Sequence, residues 1–105
     1  MASKRAANQN QEEITEEVDG IEEQYDLPHT ISLVEPIKWG DETRETLVIQ
    51  RRLKAKDFKG MRATDLRYDD MLRLISKASG EPITFVEELD AKDMGKASKV
   101  IQSFL

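Results

Sequence analysis

The strongest constraint on the fold is a stretch of alternating apolar and polar residues, TISLVEPIKWGDETRETLVIQ, which covers residues 30–50. Alternation with a period of two is typical of strands that bury one face, and Gly40-Asp41 interrupts it as a turn would. The stretch therefore predicts a β-hairpin. Because a two-stranded hairpin is only marginally stable in water, the remaining residues must cover its apolar face.

The length of the turn decides which side chains share that face. A two-residue loop at Gly40-Asp41 would put the two strands' apolar residues on opposite faces, because it pairs positions of opposite parity. A loop of three or five residues beginning at Gly40 puts six apolar residues on one face, and we therefore predict an odd-numbered loop. Pro36 has no N–H to donate, so the first strand is an edge there or carries a bulge. The six residues are Ile31, Leu33, Ile37, Trp39, Leu47 and Ile49.

Four helical segments are expected to cover the hairpin. The pattern predicts helices over about 55–62 and 66–78, a single turn over about 84–88, and a last helix over about 90–104. The second helix has an apolar stripe that includes Tyr68, and the signals Gly80 and Pro82 follow it. The predicted fold class is α+β, in one small domain that spans residues 27–105.

Two aspartates, Asp90 and Asp93, open the last helix. Asp90 is placed at the N-cap and Asp93 three residues later, where a carboxylate can bond the free amides of the first turn. A divalent cation would need more convergent oxygens than these two carboxylates supply. We therefore predict helix capping and no metal site.

Charge is distributed unevenly along the chain. Residues 1–26 hold two basic and eight acidic residues, a net charge of −6, whereas residues 27–105 hold 14 basic and 13 acidic residues, a net charge of +1. The first segment has too few apolar groups to offset the entropy of ordering, so we predict a disordered acidic leader, with a weak amphipathic helix as the alternative. The near-neutral domain argues against binding nucleic acid over its whole surface.

Few residues suit catalysis. The chain has no cysteine, its single histidine is His29 beside Pro28 with no nucleophile motif near it, and its five glycines are isolated from one another. No apolar run is long enough for a membrane span, and the first residues lack the apolar core of a secretory signal. We expect a non-enzymatic cytoplasmic protein with no catalytic residue, metal or cofactor.

The segment RRLKAKDFKGMR, residues 51–62, carries six positive charges. It could bind nucleic-acid phosphates, but Phe58 is its single aromatic residue and Asp57 interrupts it, so base stacking has little support. A contact with a protein partner or with the acidic leader, or plain solvation, remains open. Trp39 beside the turn is either the lid of a small core or an exposed interface anchor.

The order of these features resembles the tail assembly chaperone family of Mu-like contractile-tailed phages. This sequence differs from the family pattern in two places. It has an acidic leader, and it has Lys54 where a helix-capping Ser or Thr is more usual. The positions that carry it are Pro36, Gly40, Leu47 to Arg51, Asp57-Phe58, Gly80, Pro82, Leu89-Asp90 with Asp93, and Phe104-Leu105.

The resemblance implies a small non-enzymatic assembly factor of the host cytoplasm that is absent from the finished virion. Such chaperones bind the long helical tape measure protein, keep it soluble and release it as tail tube subunits polymerise around it; self-association is a further expectation. Many are made in two lengths by ribosomal frameshifting, and a longer product would extend the last helix. The alternatives are a nucleic-acid-binding regulator that uses residues 51–62, and a structural virion component.

The partner-binding surface is expected to include apolar residues of the last helix and residues near the hairpin. Within this set we expect Ile101 to pack inside and any free surface to lie on Phe104 and Leu105. The full set is Trp39, Arg51, Arg52, Ile101, Phe104 and Leu105.

Overall fold

The computed structural model describes residues 25–62 and 64–105, so almost all of the predicted acidic leader lies outside the described residues. The predicted α+β class is confirmed. The segment expected as a helix over 55–62 contains only a four-residue 3₁₀ helix. The elements are strands β1 (His29–Trp39) and β2 (Glu42–Ile49), the 3₁₀ helix Ala55–Phe58, and helices α1 (Tyr68–Ser79), α2 (Ile83–Val86) and α3 (Ala91–Gln102).

The hairpin buries the expected face, but its loop length differs from the predicted one and β1 contains a bulge. Trp39 pairs with Glu42, so the loop is the two-residue Gly40-Asp41 and the predicted odd-numbered loop was wrong. Between the pairs Ser32↔Thr46 and Ile37↔Arg44, four residues of β1 lie opposite one residue of β2. This bulge shifts the pairing by three residues. Because three is an odd number, the apolar side chains of β1 and β2 point to the same face again, which a two-residue loop without a bulge would not allow. The bulged residues are Leu33, Val34, Glu35 and Pro36.

The core lies between the apolar face of the hairpin and the helices, with α3 against β1 and α1 against β2. Tyr68 was expected on the apolar stripe of α1, but it is the first residue of that helix and is 65% exposed. The buried apolar residues are Ile31, Leu33, Ile37, Leu47, Ile49, Leu74, Ile75, Ala78, Phe85, Val86, Met94, Ala97, Val100 and Ile101.

The exit of β2 is joined to the end of α1. The backbone N–H groups of Gln50 and Arg51 both donate to the carbonyl oxygen of Ala78, at 2.8 and 3.3 Å. Gly80 then ends α1 in the left-handed conformation, at φ +80°, as helix C-caps commonly do. Within residues 25–62 and 64–105, no helix has the length and apolar character needed to cross a membrane.

Candidate functional site

Two buried aspartates hold the starts of helices. Asp57 accepts a hydrogen bond from the backbone N–H of Lys54 at 2.7 Å, and Asp70 accepts one from Arg67 at 3.0 Å. Each aspartate is the third residue of its helix and bonds the N–H at the N-cap, which has no partner within the helix. These carboxylates make the local contact that the sequence predicted for the last helix.

Asp93 occupies the same third position in α3 but serves a different purpose. It is fully buried, and its carboxylate accepts from the N–H of Val34 at 2.9 and 3.0 Å and from that of Glu35 at 3.4 Å. The predicted capping role of Asp93 was therefore wrong, because its oxygens bond the bulge of β1. Asp90 does cap α3, since its Oδ2 accepts from the N–H of Lys92 at 2.9 Å.

Lys96 completes the contact between α3 and the bulge. Its Nζ lies 3.5 Å from Asp93 Oδ1 and donates to the carbonyl oxygen of Ser32 at 3.0 Å. The acidic pair at the start of α3 is therefore used in capping and in holding the bulge. Among the described residues, no group of three or more histidine or acidic side chains is arranged to hold a metal ion.

The first residue of the basic segment is fixed by an ion pair. Arg51 donates from Nη1 and Nη2 to the two carboxylate oxygens of Asp57, at 2.8 and 3.1 Å, and Nη1 also donates to the carbonyl oxygen of Arg52 at 2.9 Å. The Arg51 hydrogen bonds and the Lys54 N–H hold the pKa of Asp57 well below its usual range, and the same pair raises the pKa of Arg51. Much of the donor capacity of Arg51 is thus used inside the chain.

The structure brings two of the expected partner-binding residues, Arg52 and Phe104, together beyond the end of α3, and a third, Leu105, is next in the chain. The guanidinium of Arg52 lies 5.0 Å from the centre of the Phe104 ring, a cation–π geometry, and Leu105 beyond it is 59% exposed. We call Arg52, Phe104 and Leu105 the C-terminal cluster. Ile101, from the same expected set, is fully buried and belongs to the core, so it is not accessible to a partner here.

Trp39 lies against the core. Its ring meets that of Phe85 edge to face, with centres 5.2 Å apart and planes at 88°. Arg44 lies over the Phe85 ring at 4.6 Å and forms an ion pair with Glu81. This half-buried arrangement matches the core-lid alternative for Trp39, with its outer surface left exposed to solvent.

The strands, helices and side-chain contacts described above lie almost entirely within one stretch that matches a known protein family. Residues 30–105 match the sequence profile of a family described as phage tail assembly chaperone proteins, E, or 41 or 14. The chain belongs to the phage tail assembly chaperone family. No curated protein and no solved structure matches this tail assembly chaperone. The match begins at the second residue of β1, so it includes the bulge, Asp93 and the C-terminal cluster, and the acidic leader precedes it. The family supports a role in tail assembly.

Proposed function

We propose that this tail assembly chaperone binds the tape measure protein and keeps it soluble during tail morphogenesis. The observation that supports this most directly is the C-terminal cluster, in which an arginine lies over an aromatic ring and the next residue of the chain, Leu105, is exposed. Aromatic residues and arginine are enriched in the parts of protein interfaces that contribute most to affinity. An amphipathic helix would lay its apolar face on such a surface.

In this proposal the chaperone acts by binding alone, without catalysis, metal or cofactor. Covering an apolar stripe of the tape would prevent aggregation, because exposed apolar surface drives association in water. Tail tube subunits would displace the chaperone as they enclose the tape. The chaperone would then act in the host cytoplasm and be absent from the finished virion. Self-association through the C-terminal cluster is a second use of the same surface.

Co-expression with the tape measure protein tests this proposal. The chaperone should increase the soluble fraction of the tape and co-purify with it, and Leu105→Ser should reduce both effects. Tyr68→Ser is the matched control, because it removes an equally exposed large side chain from the start of α1. Unchanged tape solubility with the wild-type chaperone would contradict the proposal. Equal losses of tape solubility and co-purification in the two variants would contradict the assignment of tape binding to the C-terminal cluster.

A nucleic-acid-binding role for residues 51–62 has less support. Arg51 is paired with Asp57, and Arg52 lies over Phe104, so the first two cations of the segment are engaged within the chain. Binding through phosphates would weaken steeply with salt. We expect no retention of the chaperone on a DNA column at low salt. Retention that is lost in a Lys54→Glu/Lys59→Glu variant would favour the nucleic-acid role instead.

A further inference from the structure

A groove of about 290 Å³ lies between the entrance of β1 and α3. Its walls include Tyr25, His29 and Ile31 on one side and Lys96, Lys99 and Val100 on the other. The rings of Tyr25 and His29 meet edge to face with their centres 4.8 Å apart, which forms an aromatic wall opposite the two lysines. This groove is separate from the C-terminal cluster.

The charge of this groove differs from that of the other basic regions. The groove beside the start of α1 is lined by three arginines and by the carboxylates of Asp65, Asp69 and Asp70. Arg51 in the basic segment is paired with Asp57. Among the described residues, those that line the groove at α3 include two lysines and no acid. Lys96 lies 3.5 Å from the fully buried Asp93 carboxylate, and its own side chain remains 45% exposed.

The acidic leader is attached at the wall of this groove. Tyr25 is part of the wall, and the 24 residues before it carry seven acids against two basic residues. Glu22 and Glu23 precede Tyr25 by three and two residues, and a chain spans at most about 3.3–3.6 Å per residue, so no long linker separates these acids from the groove wall. A short tether gives an effective concentration in the millimolar range, so weak contacts are enough for association.

We propose that the acidic leader docks across this groove, with Glu22, Glu23 and the acids before them on the lysine face of α3. That face continues from Lys99 and Lys96 to Lys92. Exposed ion pairs are individually weak and are screened by salt, so the docking is the sum of tethered contacts and is released at high ionic strength. This inference does not depend on tape binding. An acidic segment of another protein would compete for the same lysines.

Paramagnetic broadening in the full chain tests the docking. The chain has no cysteine, so Thr15→Cys places one nitroxide within the leader. At about 0.01 M salt, where the Debye length is about 30 Å, the amide signals of α3 around Lys96 should lose intensity relative to the reduced nitroxide. At about 1 M salt, where the Debye length is about 3 Å, the intensity should return.

The nitroxide could broaden nearby signals simply because the leader is attached beside the groove. Two charge-removal variants of the labelled chain distinguish this effect from docking. Lys92→Gln/Lys99→Gln should restore the α3 signals at low salt, whereas Lys54→Gln/Lys59→Gln, on the other basic region, should leave the broadening in place. Broadening that persists in the first variant, or that is centred on residues 54–59, would overturn the proposal. Equal broadening of an isotope-labelled chain by a separate spin-labelled chain would overturn docking within one molecule.

Discussion

At the scale of single residues, Asp93 is the side chain on which the packing of α3 against β1 depends most. Its carboxylate is fully buried and accepts N–H groups that lie 59 and 58 positions away along the chain. A hydrogen bond to a charged group contributes about 1.5–3 kcal/mol, and a buried donor left without its acceptor adds a desolvation cost.

The first prediction concerns this carboxylate. Asp93→Asn keeps the shape of the side chain but replaces one acceptor oxygen with an NH₂ donor that faces the N–H groups of Val34 and Glu35. We expect the free energy of unfolding to fall by about 2–3 kcal/mol, measured by urea denaturation. Asp90→Asn is the control, because asparagine caps helices about as well as aspartate and should change stability little. Similar effects of the two substitutions would contradict the role assigned to Asp93.

The second prediction concerns acid. The folded pKa of Asp57 lies below its unfolded value of about 4, so the Arg51–Asp57 pair stabilises the fold above that pH. The contribution is lost as the pH falls from about 4 toward the lowered folded pKa. The stability difference between wild type and Asp57→Asn should therefore be largest near neutral pH and shrink in acid. Urea unfolding over a pH series measures it, with the exposed Asp69→Asn as control. A difference that is independent of pH would contradict this account.

Sequence could predict single residues when their partners are near in the chain. The capping role of Asp90 follows from its position at a helix start, and its partner is two residues away. Asp93 has donors on the other side of the core, which a local pattern does not contain. One signal was present, because Asp93 shares a helix face with the buried Ala97 and Val100, and a carboxylate on a buried face requires partners.

At the scale of elements, β1 shows why the turn was predicted incorrectly. An odd-numbered loop and an odd-numbered bulge both put the apolar residues of the two strands on one face, so the side-chain pattern alone does not distinguish them. Pro36 indicated a bulge or an edge, and the structure places the bulge at residues 33–36. With the parity corrected there, the two-residue Gly40-Asp41 loop closes the hairpin.

The third prediction uses two glycines of the helices. A Cβ added at Gly95, inside α3, meets no atom within 4 Å, so Gly95→Ala should increase the free energy of unfolding by about 0.5–1 kcal/mol. Gly80 ends α1 at φ +80°, where a Cβ is strained, so Gly80→Ala should decrease it by about 1 kcal/mol. Thermal and urea unfolding of the two variants provide the comparison. Changes of the same sign would contradict the assigned backbone roles.

At the scale of the whole molecule, the end of the chain passes from the core to the C-terminal cluster, since α3 packs in the core and Phe104 and Leu105 follow it. The apolar spacing predicted one continuous stripe as far as Leu105. Ile101 lies inside as expected, and for that reason its place in the expected partner-binding set was wrong. Spacing alone does not show where the covering elements end, because that depends on the position of β1 and of the segment around Arg52. The composition of the C-terminal cluster therefore required the structure.

The fourth prediction compares the two sides of that division. Ile101→Ala leaves a cavity in the core and should lower the free energy of unfolding by about 2–5 kcal/mol. Leu105→Ala removes a 59%-exposed side chain and should change it by no more than about 0.5 kcal/mol. Fluorescence of Trp39, which packs on Phe85, reports the unfolding of both variants. A large loss of stability in Leu105→Ala would show that this residue belongs to the core.

The contact between Asp93 and the bulge has a consequence for sequence divergence. The donors are backbone N–H groups, so the side chains at positions 34 and 35 are not specified by the contact, whereas the carboxylate at position 93 is. Proline is excluded at positions 34 and 35, since it has no N–H. An alignment of relatives should therefore show an invariant acid facing a variable, proline-free pair, a pattern that analysis of covarying side chains would miss.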